Sequence, residues 1–348
     1  MVDLSEESTT THAPMSDFVE LTPSLLGKSI VRDTDLDRTE INAILDTGIA
    51  LKRLRHQQIS HAWLAGKTLG MIFQHPSSRT RTAFQAGMEQ LGGQAIFLGV
   101  QDLQLKRGET IEDTAAIFSR YVNGIAVRAA DREDLFGLAR GATVPVFNGL
   151  TSFDHPIEAL SDLMTLKERF GSLQGVRFAY LGDGNNVCHS LMLACAATGV
   201  SFSMAGPEAF WPDQGAVEQA KALAAESGGE VVVTDDLEVA VSGANAVYTD
   251  VHESMGEQEV AGKLMALAPY RVTAKVMAMA EESAVFMHCL PLHRGQEVEA
   301  EVADGPQSII FDQAENRLHV HKAVLLQVMH DERQGSRVEC RSGERQLR

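Results

Sequence analysis

Short apolar runs alternate with helical segments along most of this chain, and this alternation constrains the fold more than any other feature of the sequence. Runs at 68–73, 94–98 and 176–181 are each followed by apolar residues at helical spacing. Parallel strands need crossover connections, which are usually helices, so this order is typical of parallel sheets covered by helices. The sequence predicts an α/β protein with two doubly wound parallel-sheet domains joined by interdomain helices.

The remaining elements follow from the same patterns. Further strands are predicted at 124–128, 144–147, 200–204, 230–233, 246–248, 284–287 and 308–311. Asp37 and Glu40 form a capping-box pattern that predicts a helix start. Other helices are predicted at 110–121, 151–170 and 316–330.

With 348 residues and 44% hydrophobic content, the chain is long enough for two domains. Its polar termini lack periodicity, which predicts disordered tails. The predicted organisation is a disordered tail at 1–22, a first domain at 23–152, a second domain at 153–312 that opens with an interdomain helix at 153–170, a C-terminal helix at 313–330 that returns to the first domain, and a disordered tail at 331–348.

A polar stretch shortly after the run at 68–73 carries the strongest functional signal. It consists of Ser77, Ser78, Arg79, Thr80 and Arg81, and it opens a helical pattern that ends at paired glycines. The free N–H groups at a helix N-terminus favour anions, and arginine presents a planar fork of donors to phosphate or carboxylate oxygens. The stretch predicts a phosphate site; a capped helix with two solvated arginines is the alternative.

Charge and composition exclude several classes of function. The net charge of −17 argues against a nucleic-acid partner, because such a partner's phosphates have to be neutralised. No apolar run reaches the roughly 20 residues needed to cross a bilayer, and no signal-peptide pattern opens the chain. The four cysteines show no C-x-x-C pair, and the histidines show no metal-ligand spacing. We expect a cytoplasmic protein with no membrane partner, metal or cofactor.

A glycine pair after the run at 176–181 raises the alternative of a dinucleotide site. Gly182 and Gly184 match the start of that fingerprint, but Val187 stands where its third glycine belongs. The amides of Asn185 and Asn186 suit an amino-acid substrate better than a pyrophosphate. A nicotinamide-dependent dehydrogenase is therefore disfavoured.

The segment around Cys289 raises the alternative of a thiol nucleophile. Cys289 follows His288 directly, and neighbours on a strand point to opposite faces, so the two side chains cannot easily share a hydrogen bond. A backbone role beside the bond between Leu290 and Pro291, a bond type that can be cis, is the favoured interpretation.

Taken together, these stretches resemble the aspartate/ornithine carbamoyltransferase family over residues 25–330. The matching motifs are Ser77-Ser78-Arg79-Thr80-Arg81, Asp102-Leu-Gln104-Leu, His155-Pro156-Ile-Glu158, Gly182-Asp-Gly-Asn-Asn186, Asp250 with Ser254-Met255-Gly256, His288-Cys289-Leu290-Pro291 and Glu315-Asn316-Arg317. The C-terminal motifs are similar to the ornithine branch. The resemblance implies a carbamoyl-phosphate domain, a Rossmann-like amino-acid domain, and a homotrimer with sites at subunit interfaces.

The resemblance also implies roles for individual residues. The residues expected to bind carbamoyl phosphate are Ser77, Ser78, Arg79, Thr80, Arg81, Gln104, Arg128, His155, Glu158, Cys289, Leu290 and Arg317, with Gln104 reaching into a neighbour's site. Those expected to bind the amine substrate are Leu150, Asn186, Asp250, Ser254 and Met255. Those expected to act in catalysis are Arg128, His155, Asp250, Cys289 and Arg317.

Four positions depart from the family pattern. Glu158 replaces a Gln, so a group that can donate becomes one that only accepts when ionised. Gln74 and Gln85 stand where the ornithine enzymes commonly have Glu, and His252 replaces a Trp before the Ser-Met-Gly loop. These departures leave the acceptor open.

The resemblance implies transfer of a carbamoyl group from carbamoyl phosphate to the terminal amine of a diamino acid, with ornithine to citrulline in arginine biosynthesis as the leading hypothesis. One alternative is a paralogue in specialised metabolism that carbamoylates another diamino acid, such as 2,3-diaminopropionate. Another is a non-catalytic relative that binds amino acids.

Overall fold

The structure is a computed structural model and describes residues 14–103, 108–253 and 260–331. In its N-terminal half, the strands are β1 (Thr68–Phe73), β2 (Gln94–Gly99), β3 (Gly124–Arg128) and β4 (Val146–Leu150). The helices are α1 (Arg38–His56), α2 (Ser78–Gln90), α3 (Ile111–Phe118) and α4 (Arg132–Gly141). The strands form a parallel sheet in the order β2-β1-β3-β4, in which Phe73 of β1 pairs with Arg128 of β3.

A second parallel sheet follows α5 (Pro156–Phe170). Its strands are β5 (Arg177–Leu181), β6 (Ser201–Ala205), β7 (Val231–Thr234), β8 (Ala246–Thr249) and β9 (Val285–Met287), in the order β7-β6-β5-β8-β9. The remaining helices are α6 (Asn186–Thr198), α7 (Gln214–Ser227), α8 (Leu237–Val241), α9 (Lys263–Leu267), α10 (Ala274–Met277), α11 (Ala300–Ala303) and α12 (Ile310–Met329). Short 3₁₀ turns lie at Met15–Asp17, Pro23–Leu25, Val100–Asp102, Glu208–Phe210 and Ala268–Tyr270.

Helices α5 and α12 connect the two sheets. Proline at the first position of α5 has the φ that a helix start needs, and Gly171 ends the helix in the left-handed conformation. Nearly every residue of α12 from Asn316 onward is buried, and the helix packs against α1, α2 and α5. One apolar core cluster runs from the first sheet through α1, α5, α6 and α12 to the second sheet. Both sheets are therefore held by shared helices.

The predicted α/β architecture with two parallel sheets is confirmed. The capping box is also present: Asp37 accepts from the N–H of Glu40, and Glu40 accepts from the N–H of Asp37. The strand predicted at 308–311 is wrong. Ser308 makes only an isolated bridge to Phe286, and Ile310 already begins α12, because its side chain is buried on the helix face that meets the second sheet's core.

The prediction that residues 1–22 form a disordered tail is wrong for the described part, 14–22. Val19 is buried in the core, and the amide of Gln327 on α12 accepts from the N–H of Thr22 and donates to the carbonyl of Glu20. Residues 1–13 and 332–348 lie outside the described residues. Within the described parts of the chain, no helix is both long and apolar enough to span a membrane.

Candidate active site

The carboxyl ends of strands from both sheets line one cleft of about 890 Å³. Parallel strands leave their connecting loops at this end of a sheet, which is where ligands bind in open α/β folds. Twelve of the residues predicted to bind or act on substrate line it: Ser77, Ser78, Arg79, Arg128, Leu150, His155, Glu158, Asn186, Asp250, Cys289, Leu290 and Arg317. Tertiary structure thus brings together residues from distant parts of the sequence.

The N-terminus of α2 forms one edge of the cleft. Ser77 is its N-cap residue, but its side chain makes no capping hydrogen bond, so the orphan N–H groups of the first turn stay available. Arg79 reaches across to the second half of the chain, where its Nη2 donates to the carbonyl oxygen of Leu290 at 2.6 Å. This end of the helix offers both backbone and guanidinium donors to an anion.

Two residues of the same motif, Thr80 and Arg81, are not among those that line the cleft. Arg81 stacks its guanidinium 3.5 Å from the ring centre of Phe97 and donates to Gln85, and Thr80 is buried. Helical geometry explains the contrast between Arg79 and Arg81, since residues two apart on a helix face nearly opposite directions.

Arg128 and Arg317 complete a set of three guanidiniums with Arg79, which we call the arginine wall. Burial, followed by repulsion from Arg79, lowers the pKa of Arg128 to about 10. Burial, followed by repulsion from Arg79 and Arg128, lowers the pKa of Arg317 to about 9. Both guanidiniums remain charged at neutral pH, and their mutual repulsion makes this wall receptive to anions.

His155 and Glu158 lie beside Arg317. The carboxylate of Glu158 pairs with Nη2 of Arg317 through one oxygen, and its other oxygen lies 3.3 Å from Nε2 of His155. Burial, followed by the charge of Arg128, holds the pKa of His155 well below 6.5. The imidazole is therefore neutral at pH 7 and has a single N–H to donate. Nη2 of Arg317 also donates to the carbonyl oxygen of Cys289 at 3.0 Å.

Asp250 is the centre of the opposite wall, which we define as Asn185, Asn186, Asp250 and Cys289 and call the Asp250 wall. One carboxylate oxygen accepts from the side-chain amide of Asn185 at 2.8 Å, and the other accepts from the thiol of Cys289 at 3.0 Å. Asn185 also caps α6, since its Oδ1 accepts from the N–H groups of Val187 and Cys188. The same side chain thereby fixes the helix and the carboxylate.

The chemistry of Cys289 agrees with a neutral thiol. Burial, and next the charge of Asp250, raises its pKa well above 9. The neighbouring His288 contacts other groups: its Nδ1 accepts from the N–H of Leu290, and its Nε2 lies 3.4 Å from Glu297. A thiolate nucleophile is thus disfavoured, and the bond between Leu290 and Pro291 is cis.

Asp250, His288 and Cys289 have potential metal-ligand atoms within 4.8 Å of one another. Those atoms already take part in hydrogen bonds: Cys289 donates to Asp250, and His288 accepts from Leu290. A metal would have to replace both contacts. The glycine turn is equally unsuited to a dinucleotide, since a Cβ on Gly184 would lie 2.2 Å from the backbone of Pro212, so this glycine serves chain packing.

Several polar side chains of the cleft were not predicted: His75, Thr151, Asp183 and Glu253 also line it. Asn185, whose amide was predicted to suit an amino-acid substrate, lines it as well. The buried Asp154 shapes the turn that carries Thr151, because its carboxylate accepts from Asn148 and Thr151 and pairs with Arg132 at 3.0 Å. The carbonyl of Thr151 in turn accepts from the amide of Asn186. Only the position of these residues at strand ends could have revealed them from sequence.

The other departures from the family pattern lie near the cleft but not in it. Gln74 donates to Asp134 and accepts from the N–H of Ala130, so it braces the connection after β3. His252 is buried against the turn at Gly182, and this burial lowers its pKa to about 4. The predicted residues Gln104, Ser254 and Met255 lie outside the described residues.

Two family models match the chain. The carbamoyl-P binding domain of aspartate/ornithine carbamoyltransferase matches residues 28–168, and the Asp/Orn binding domain matches residues 174–328. The chain belongs to the aspartate/ornithine carbamoyltransferase family. Within the family's two-domain scheme, Arg79, Arg128, His155 and Glu158 fall in the first matched region, whereas Asp250 and Arg317 fall in the second. The cleft lies where the two regions meet.

The individual relatives are similar over nearly their whole length. The ornithine carbamoyltransferase of Bacillus subtilis is 48% identical over 308 residues, which are 88% of this chain and 95% of that protein. The solved structure of the Pyrococcus furiosus ornithine carbamoyltransferase is 47% identical, with a TM-score of 0.85 over 88% of this chain and 98% of that one. The Giardia lamblia ornithine transcarbamoylase structure is 33% identical, with a TM-score of 0.79 over 88% of this chain and 99% of that one.

Proposed function

We propose that this protein transfers the carbamoyl group of carbamoyl phosphate to the terminal amine of L-ornithine, giving L-citrulline and phosphate. The observation that carries the proposal is the cleft between the two walls. Three guanidiniums and a helix N-terminus face an anion on one side, while a carboxylate and two amides face an amino acid on the other. The relatives named ornithine carbamoyltransferase support ornithine as the acceptor.

On the donor side, the arginine wall and the first turn of α2 anchor the phosphate. Arg128 and the neutral His155 donate to the carbonyl oxygen, on which negative charge develops as the tetrahedral intermediate forms. Donors that are fixed before the reaction stabilise such an oxyanion without reorganisation. The protein therefore acts by positioning and electrostatics, without a covalent intermediate.

On the acceptor side, ornithine reacts as the uncharged amine after its ammonium has lost one proton to solvent. The amine nitrogen forms a bond to the carbonyl carbon, and the bond from that carbon to the phosphate oxygen breaks. The nitrogen's remaining surplus proton leaves with the phosphate, so the products are a urea and hydrogen phosphate. Asp250, held by Asn185 and Cys289, receives the α-ammonium and directs the side chain towards the donor.

The proposal also includes the number of subunits, the metabolic role and the cellular location of the protein. Family resemblance supports a homotrimer in which Gln104 of one subunit completes a neighbour's site. We also propose a role in arginine biosynthesis in the cytoplasm; one relative is named an anabolic ornithine carbamoyltransferase, which supports the biosynthetic direction. Light scattering on the purified protein measures the subunit number, and a mass other than three chains or a multiple of three would contradict the trimer.

The test is detection of ureido product with carbamoyl phosphate and a panel of acceptors: ornithine, lysine, 2,4-diaminobutyrate, 2,3-diaminopropionate, putrescine and aspartate. We expect ornithine to give the highest kcat/KM. A preference for 2,3-diaminopropionate would contradict the acceptor assignment and make positions 158 and 252 the specificity determinants. No product with any amine would contradict carbamoyl transfer and leave a binding protein.

A further inference from the structure

Glu158 is the carboxylate that pairs with the arginine wall in the part of the chain that the structure describes. It lies in the first turn of α5 with 3% of its surface exposed, and it contacts both Arg317 and His155. Burial removes the water that would otherwise screen its charge, so its interactions with neighbouring charges are strong. The negative charge of Glu158 therefore affects the binding of any other ion that contacts Arg317 or His155.

The charge balance around Glu158 explains its position. Arg79 and Arg128 repel Arg317, and Glu158 offsets one of these three positive charges from inside the protein. A bound phosphate dianion would also neutralise positive charge on these guanidiniums. Because the carboxylate and the phosphate carry charge of one sign, each weakens the binding of the other to Arg317.

We propose that Glu158 is an internal counter-anion that competes with carbamoyl phosphate for Arg317, so that the residue at position 158 sets the affinity for the donor. This inference rests on the function proposed above, because it assumes a phosphate-bearing donor. The amide of glutamine has nearly the same shape as the carboxylate and keeps one oxygen acceptor, but it carries no charge. Exchange of the carboxylate for the amide removes the charge at nearly constant shape but adds an N–H donor, whereas Glu158→Ala removes the charge without adding that donor.

The chain offers a matched control on the same helix. Glu168 pairs with Lys52 at 2.9 Å and accepts from Asn316 at 2.7 Å, but it does not line the cleft. Glu168→Gln therefore removes a paired carboxylate from α5 without altering the arginine wall. Any general effect of a neutral residue on this helix appears in both variants.

The experiment measures binding of inorganic phosphate, and of phosphonoacetamide as a stable donor analogue, by calorimetry and thermal shift. We expect Glu158→Gln to lower both dissociation constants about tenfold, since it removes one buried like charge. Without phosphate this variant should melt below the wild type, because the arginine wall loses its counter-anion, and saturating phosphate should narrow the gap. Glu168→Gln should keep the wild-type dissociation constants.

Two further variants separate charge from shape. Glu158→Ala should also bind phosphate more tightly, whereas Glu158→Asp, which keeps the charge, should not. In turnover, Glu158→Gln should lower the KM for carbamoyl phosphate about tenfold and leave the KM for ornithine within about twofold. A purely structural role for Glu158 would not produce this split between the two KM values.

Equal or weaker phosphate binding by both neutral variants would overturn the inference, even if the wild type makes citrulline. Loss of turnover in Glu158→Gln that recovers at high pH would overturn it too, since that result marks a general base. Conversely, tighter phosphate binding by the neutral variants would support the counter-anion even if no acceptor on the panel were carbamoylated. The inference and the proposed function can therefore fail separately.

Discussion

The two walls of the cleft differ in the sign of their charge and in the groups that surround it. The arginine wall gathers three guanidiniums that repel one another, and burial lowers the pKa of Arg128 and Arg317. The Asp250 wall surrounds its carboxylate with neutral donors, the Asn185 amide and the Cys289 thiol. The contrast supports the division of roles proposed above, in which the guanidinium charges bind the donor and a hydrogen-bonded carboxylate orients the acceptor.

The largest expected effect comes from breaking the arginine wall. Arg79→Ala removes a guanidinium from the anchoring set, and we expect kcat/KM for carbamoyl phosphate to fall by about 10²- to 10³-fold. Steady-state kinetics with carbamoyl phosphate varied measure this loss. Arg140→Ala removes an exposed arginine that pairs with Glu112, and it should behave like the wild type. Equal losses in both variants would contradict the assignment of Arg79.

The next largest effect should come from the Asp250 wall. Asp250→Asn keeps the shape but removes the charge that we propose binds the α-ammonium, so we expect kcat/KM for ornithine to fall about a hundredfold. The KM for carbamoyl phosphate should change much less, in contrast to Arg79→Ala. The control is Asp304→Asn, because Asp304 forms an exposed pair with Arg294. An equal rise in the KM values for ornithine and carbamoyl phosphate would contradict separate roles for the two walls.

Protonation of His252 should lower the free energy of unfolding of the protein in acid. Its pKa is near 6.5 in the unfolded chain and about 4 in the fold, so its contribution is fully present above pH 6.5 and is lost as pH falls towards 4. Relative to His252→Phe, the wild type should lose on the order of 2 kcal/mol more of its free energy of unfolding over this interval. Urea denaturation at several pH values measures the difference. Parallel pH profiles would contradict the buried, neutral imidazole.

The smallest effect should follow from the thiol. Cys289→Ser keeps a donor within reach of Asp250, so we expect kcat to fall by less than about tenfold. A thiol nucleophile would instead make this variant inactive. Mass spectrometry after incubation with carbamoyl phosphate offers a second check, because the wild type should carry no carbamoyl adduct on Cys289.

Only those site residues that belong to local sequence motifs could be predicted from the sequence. The motif at the start of α2 identified Arg79 and Arg81 together, yet Arg79 faces the cleft while Arg81 stacks on Phe97. The helical period could have separated the two, but which face meets the cleft depends on packing. Asp154 escaped prediction for a related reason: its partners Arg132 and Asn148 belong to other elements of the first half. The domain boundaries stay a prediction.

By itself, the sequence determined the order and type of most elements, because hydrophobic periodicity and capping are local properties of the chain. β3 at Gly124–Arg128 and the capping box of α1 appear as predicted. Only the tertiary structure decided that Ile310 opens a helix and that Glu158 meets Arg317, since burial and pairing depend on elements far apart in sequence. Folding brings the charges of the arginine wall together in a buried cleft. Their interactions are strong there because little water screens them.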